Sequence, residues 1–226
     1  MRKVLAVLLL GIVGYYLLNS FYGIPFGENR ANVGDYYLNN TIEQTGAVNT
    51  ITAIVVNYRG FDTLGEVTVL FLASTGLAAI LFDNRGRKRR RQHASLIVRV
   101  GAHLIYPLIV LLGAYVFVHG HLTPGGGFQG GAIIATGVLL MFMSYRSFEV
   151  SHKWLTYLES LAGISFVTIG LSGLVFGTSF LQNILPLGIP NELFSAGVIP
   201  IIYIAVGVKV GAELTGLLDN LLKTIK

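Results

Sequence analysis

The 226-residue sequence predicts an all-α fold, a polytopic integral membrane helical bundle of about six transmembrane helices plus a short interfacial or re-entrant segment. Three observations predict it. Apolar residues make up 53% of the chain and charged residues only 12%, where soluble domains carry about 25% charged residues; mean hydropathy is +0.67. Apolar runs of roughly 20 residues, the length a membrane helix needs, recur along the chain. Many of the 28 glycines sit inside those runs at four-residue spacing, a pattern that lets helix backbones approach closely in lipid.

The runs lie at about 4–22, 63–82, 95–118, 128–145, 154–177 and 193–217. The first follows Arg2 and Lys3 as a signal peptide would, but its apolar stretch is long and no small-residue cleavage site follows, so it reads as a retained anchor. A seventh stretch, 47–56, is apolar for only about ten residues and contains Asn49, Thr50 and Thr52; runs this short are more often interfacial or re-entrant than spanning. The segment 23–46 is polar and long for a loop, which suits folding against an outer face.

Charge sets the expected orientation. The net charge of +5 comes from one run: Arg85, Arg87, Lys88, Arg89, Arg90 and Arg91 supply six of the 16 basic residues. With six spans and the N-terminus inside, twelve basic residues fall on the inner side and two, Arg30 and Arg59, outside. Seven spans would give eleven against three, so the positive-inside bias permits both arrangements and places the basic run and the C-terminus in the cytoplasm in each. The run itself, 85–91, suits anionic lipid headgroups. It lacks interleaved aromatic residues, which argues against nucleic acid. It also divides the chain into 1–91, with about two spans, and 92–226, with four. The absence of cysteine excludes disulfides, thiolate zinc sites and cysteine-held iron–sulfur clusters within the chain.

Ionisable residues inside the runs stand out, because a charge at the bilayer centre costs at least about 2.5–3.5 kcal/mol. His103, Glu159, Lys209 and Glu213 all fall in the inner half of their spans, while Asp62 and Glu66, and His119 and His121, lie near the outer ends of theirs. Titratable groups on both sides with a thin zone between would suit an ion path of two half-channels; helix-end snorkelling gives the same pattern. Lys209 and Glu213, four apart, also fit a structural ion pair. His103 precedes Pro107 by four, and Pro107 leaves its carbonyl without a helical donor. Pro200 does the same for Ala196 and reads as a kink. On the run from Trp154, Glu159 begins a face continued by Gly163, Phe166, Gly170, Gly173 and Gly177, so Glu159 should point at a helix and away from lipid.

Two motifs are more distinctive. Tyr-Arg-Gly-Phe-Asp-Thr-Leu-Gly-Glu at 58–66 puts Asp62 and Glu66 on one face of a helix start, and Thr63-x-x-Glu66 also fits a capping box. Gly-His-Leu-Thr-Pro-Gly-Gly-Gly-Phe-Gln-Gly-Gly at 120–131 must break a helix after Pro124. His121, Pro124, Gly125, Gly126, Gly127, Phe128 and Gln129 then form either a tight turn or a polar broken-helix site. No Gly-Lys-Ser/Thr follows, so it is not a phosphate loop.

The 120–131 motif resembles the signature of the B subunit of Mrp-type (Mnh-type) sodium/proton antiporters, over about 93–226. The 58–66 motif, with Val-Asn-x-x-x-Ala-Ile-Val-Val-Asn at 48–57, resembles the C-terminal tail of the large A subunit of that family, which in related archaeal respiratory complexes is a separate small subunit. The fused arrangement is most similar to a subunit of membrane-bound sulfane sulfur reductase or hydrogenase complexes of heat-loving archaea. The resemblance implies a non-redox cell-membrane subunit that supports sodium or proton translocation. It implies partners among large antiporter-like and small multi-span subunits, and hydrogenase-like and iron–sulfur subunits where the complex is respiratory. It also implies roles for Asp62, Glu66 and the 120–131 motif; it assigns none to His103, Glu159, Lys209 or Glu213. Na+ or H+ is expected as cargo, with no cofactor or metal in this chain. No nucleophile–base motif or metal-spaced histidine cluster is present, so no catalysis is expected from the chain alone. The competing expectation is a scaffold subunit that joins membrane modules without an ion path of its own.

Overall fold

The structure, a computed structural model, describes residues 2–22, 32–81, 94–145 and 147–224. These residues are helical and contain no strand. Among them, six helices are long and apolar enough to cross a membrane: α1 (Arg2–Tyr22), α4 (Gly60–Leu81), α5 (Leu96–Val118), α6 (Gly127–Ser144), α7 (His152–Phe176) and α8 (Ile199–Thr224). Shorter helices α2 (Asn32–Thr45) and α3 (Thr50–Ala53) precede α4, and α3 runs into a π-helical turn, Ile54–Tyr58. The multi-pass all-α expectation therefore holds, and 47–56 is a short folded segment that does not span. The basic run 85–91 lies outside the described residues.

The chain forms two units, residues 1–36 and 37–226. In the first, α1 exposes apolar side chains all round, the pattern of a helix whose solvent is lipid. In the second, α8 is central and packs on α4, α5, α6 and α7, while α5 packs on α6.

The core sits between α8 and one capped end of this bundle. It comprises Ala47, Ala53, Val56 and Val67, Phe166 and Leu181, then Ala196, Val198, Ile199, Ile202, Tyr203, Val206 and Val210. The cap is built from the α2–α4 connection, the turn 119–126 and the returning segment 177–198. Gly46 ends α2 in the left-handed region at φ +70 and lies against the Leu187 carbonyl, a position that favours glycine. Asn183 then ties the return together: its Nδ2 donates to the Ala196 carbonyl (3.1 Å), and its Oδ1 accepts from Val198 N (3.1 Å).

Two sequence expectations change here. The last helix begins at Ile199 and not near 193, because 193–198 belongs to the folded return. Pro200 therefore stands in the first turn of α8, where a missing N–H costs nothing, and does not kink a span. The Ala196 carbonyl it was expected to free accepts from Asn183 and from Ile199 N. Likewise α4 starts at Gly60, so Thr63 is no N-cap and the capping box does not form; the Thr63 hydroxyl donates to the Val55 carbonyl at 2.5 Å.

Candidate functional site

The glycine motif of 120–131 packs helices. α5 ends at Val118 and α6 begins at Gly127, with a tight turn between them. A methyl group on Gly127 would meet Val206 Cβ at 2.7 Å, and one on Gly131 would meet the Gly207 carbonyl at 2.7 Å and Val210 Cβ at 2.8 Å. On the other side of α6, a methyl group on Gly130 would meet the Gly113 carbonyl at 2.6 Å and the Phe117 ring. Gly125 lies against the Val116 carbonyl, Phe128 is half-buried against the core, and Pro124 and Gln129 are exposed. The motif thus wedges α6 between α5 and α8 with backbones nearly in contact.

The turn is locked to the α3 segment by polar groups. Asn49 caps α3 through Oδ1, which accepts from Ile51 N and Thr52 N, the usual reason for asparagine at a helix start. Its Nδ2 donates to the carbonyls of Gly120 and Thr123, each at 2.9 Å. Thr52 Oγ1 donates to the Gly120 carbonyl at 2.5 Å, and the Tyr203 hydroxyl from α8 donates to Thr52 Oγ1 at 3.0 Å. His121 is fully buried in this turn, and its ring nitrogens make no hydrogen bond among the described residues. Burial holds its imidazole below the ordinary range, with the backbone at Glu192 and Leu193 acting in the opposite direction.

The charges gather elsewhere, on the α7–α8 seam. Lys209 Nζ lies 2.6 Å from Glu213 Oε1, one turn away on α8, and 3.8 Å from Glu159 Oε1 on α7. The Phe71 ring of α4 lies over the ammonium at 5.2 Å. The Lys209 side chain is 11% exposed and that of Glu213 only 1%. Glu213 Oε2 is buried and has no hydrogen-bond partner among the described residues. One ammonium thus faces two carboxylates, one of which keeps a free acceptor. Burial of that kind is costly unless the charges are paired.

Of the sequence candidates, Glu159, Lys209 and Glu213 come together. Glu159 faces a helix, as expected from its glycine face, and Gly163 below it approaches Lys209. The rest of that face is covered by the chain itself: Phe180 fills the space at Gly170, and Gln182 lies against Gly173 and Gly177. Asp62 pairs with Arg59 at 2.5 Å, both exposed, and Glu66 is exposed on α4. His103 is exposed on α5, which continues through Pro107; it joins none of the other candidates. Sequence reasoning missed the pair His152 and Asp219, with Nε2 2.8 Å from Oδ2. Ending the last span near 217 left Asp219 outside it; the spacing 209, 213, 216, 219 along α8 was the available signal.

A family model described as a domain related to the MnhB subunit of the Na+/H+ antiporter matches residues 97–216. The chain belongs to the MnhB family. A second family model, MbhE, which describes a component of MBH, matches residues 1–104. The MnhB-family chain is 47% identical to a chain in the structure of the membrane-bound sulfane sulfur reductase, an archaeal respiratory membrane complex, covering 98% of each with a TM-score of 0.77. It is 27% identical to a chain of the Mrp complex from Dietzia sp. DQ12-45-1b, covering 97% of this chain but 26% of that one, with a TM-score of 0.75. An uncharacterized protein of Methanocaldococcus jannaschii is 31% identical over 86% of this chain and 83% of its own length. This is an MnhB-like, multi-pass membrane subunit of the kind found in Mrp antiporters and related membrane respiratory complexes.

Proposed function

We propose that this subunit carries part of the Na+/H+ path of its complex, with Lys209, Glu213 and Glu159 as the ion-handling cluster. The observation that supports it is the cluster's composition: a lysine shared by two carboxylates inside a membrane bundle, with Glu213 Oε2 left without a partner among the described residues. Intramembrane charges are rare and mark ion or proton pathways when they are retained. Moving Lys209 from one carboxylate to the other, or protonating one of them, changes the charge available to a passing cation. Asp62 and Glu66 at the capped end belong to the same path as its exposed approach.

The partners in this reading are the large antiporter-like and small multi-span subunits of an Mrp-type module, with hydrogenase-like and iron–sulfur subunits where the complex is respiratory. The likeness to a chain of the archaeal sulfane sulfur reductase complex supports the respiratory setting. The chain divides into 1–91 and 92–226, the run 85–91 and the C-terminus face the cytoplasm, and 85–91 meets anionic lipids. The test is Na+-driven proton movement in vesicles that hold the assembled complex. Glu213→Gln and Glu159→Gln should each reduce it severely; normal transport in both, per assembled complex, leaves a scaffold as the function.

A further inference from the structure

We propose that His152 and Asp219 form the proton port of the Lys209 cluster and communicate with it past Gly216. This rests on the reading that the cluster handles ions. Both pairs lie on the α7–α8 seam. His152 and Glu159 are seven residues apart on α7, two turns along one helical face. Glu213 and Asp219 are six apart on α8, a rise of about 9 Å. The same two helices thus hold one acid–base pair at the end of the bundle and a second one deeper within it.

Exposure grades along the seam. The side chain of His152 is 53% exposed, that of Asp219 is 6% exposed and that of Glu213 is 1% exposed. A histidine open to solvent above a buried carboxylate is the order a port requires, because imidazole exchanges protons near neutral pH. Between the pairs α8 presents Gly216, where an added Cβ would find Leu155 Cδ1 as its nearest neighbour, at 4.0 Å. α8 therefore leaves room for a methyl group at that level, and Thr215 beside it is a buried hydroxyl.

The proton balance is simple. Water gives a proton to His152 Nδ1 as the Nε2 proton passes to Asp219 Oδ2. Asp219 releases it through water at the Gly216 level to a carboxylate of the Lys209 cluster, and the imidazole regains its Nε2–H tautomer by returning the Nδ1 proton to water and taking one from water at Nε2. Besides His152 and Asp219, the charged groups on the packed elements are Lys153 and Glu159 on α7, Lys209, Glu213 and, four residues after Asp219, Lys223 on α8, and Glu149 in the turn before α7; α6 carries none. From α5 come Arg99 and His103, and from α4 Asp62 and Glu66 at the capped end.

The experiment uses vesicles that hold the assembled complex and follows proton uptake after a Na+ pulse between about pH 6 and 8. His152→Gln and Asp219→Asn should lower the initial rate by about tenfold or more, where positioned proton donors contribute about 10²–10⁴. His152→Gln should also flatten the pH profile, and Asp219→Glu should recover most of the rate. Gly216→Leu should block transport and Gly216→Ala should not. Because His152 is half exposed, its Gln variant leaves the bundle assembled even if Asp219→Asn does not. Unchanged rate and pH profile in His152→Gln, alongside lost transport in Glu213→Gln, overturns the port and leaves the cluster standing. Intact transport in both Glu213→Gln and Glu159→Gln overturns the cluster and the port together.

Discussion

Helix α8 has two unlike faces. Toward α6 it presents Val206, Gly207, Val210 and Gly211, which meet Gly127 and Gly131 across a seam without a charge. Toward α7 it presents Lys209, Glu213 and Asp219, which meet Glu159 and His152. The first seam is held by shape. In lipid, packing contacts between small residues replace the hydrophobic drive that water supplies elsewhere. The second is held by charge pairing, which is costly unless complete and therefore responsive to protons and cations. The motif most distinctive in the sequence supplies the rigid seam, and scattered single charges supply the responsive one.

The largest expected effect breaks the rigid seam. Gly131→Leu drives a side chain into the Gly207 carbonyl and Val210, where even a Cβ stands at 2.7–2.8 Å. Overpacking costs about 1–3 kcal/mol and sometimes more, and here backbone must move, so the complex should lose most of its assembled yield and thermal stability. Gly76→Ala on α4, where nothing lies within 4 Å of an added Cβ, should be neutral or gain up to about 1 kcal/mol. Equal tolerance of the two changes would sink the packing account.

The second prediction concerns the responsive seam. Lys209→Met strands Glu213 and Glu159, and removing one partner of a buried pair costs about 3–5 kcal/mol. Adding Glu213→Gln should return much of that stability without returning transport. A double variant that recovers both would make the cluster a structural ion pair.

Much of this was legible in the sequence. Five of the six apolar runs are bounded closely because lipid forces a length, and the glycines that follow Glu159 lie on the face that turns it inward. What was not legible depended on long-range placement. Nothing local in 193–198 shows that Asn183 will hold it in a return, so hydropathy alone starts α8 too early. His103 fills the same depth as Glu159, yet α5 turns it outward; depth along a helix is readable from one sequence, but rotation about its axis needs the neighbours. His152 and Asp219 are far apart in sequence and meet because α7 and α8 are antiparallel.

The capped end should respond to pH. His121 is buried with its pKa lowered from 6.5, so the unfolded chain binds the proton more readily. Its contribution to stability is present above about pH 6.5 and declines as pH falls toward the depressed folded value. Thermal melts of the complex from neutral to acidic pH should show that loss, and His121→Leu should reduce it. A loss of stability is also expected from Asn49→Ala, which removes the α3 cap, typically worth about 1 kcal/mol, and both bonds to the 119–126 turn. Melts unchanged by Asn49→Ala would mean that the turn is held by its glycines alone.

The smallest effect should come from Arg59 and Asp62. Their contact is short, but both side chains are more than half exposed, and exposed ion pairs contribute roughly 0–1 kcal/mol. Arg59→Ala should therefore leave thermal stability within that range, unlike any change at Lys209. Transport is the sharper measure. If Asp62 and Glu66 form the approach to the ion path, Asp62→Asn should slow Na+-driven proton movement and raise the Na+ concentration needed for half-maximal rate, with melts unchanged. If transport follows stability and neither moves, the acids at the start of α4 belong to the cap, and the responsive region is confined to the α7–α8 seam.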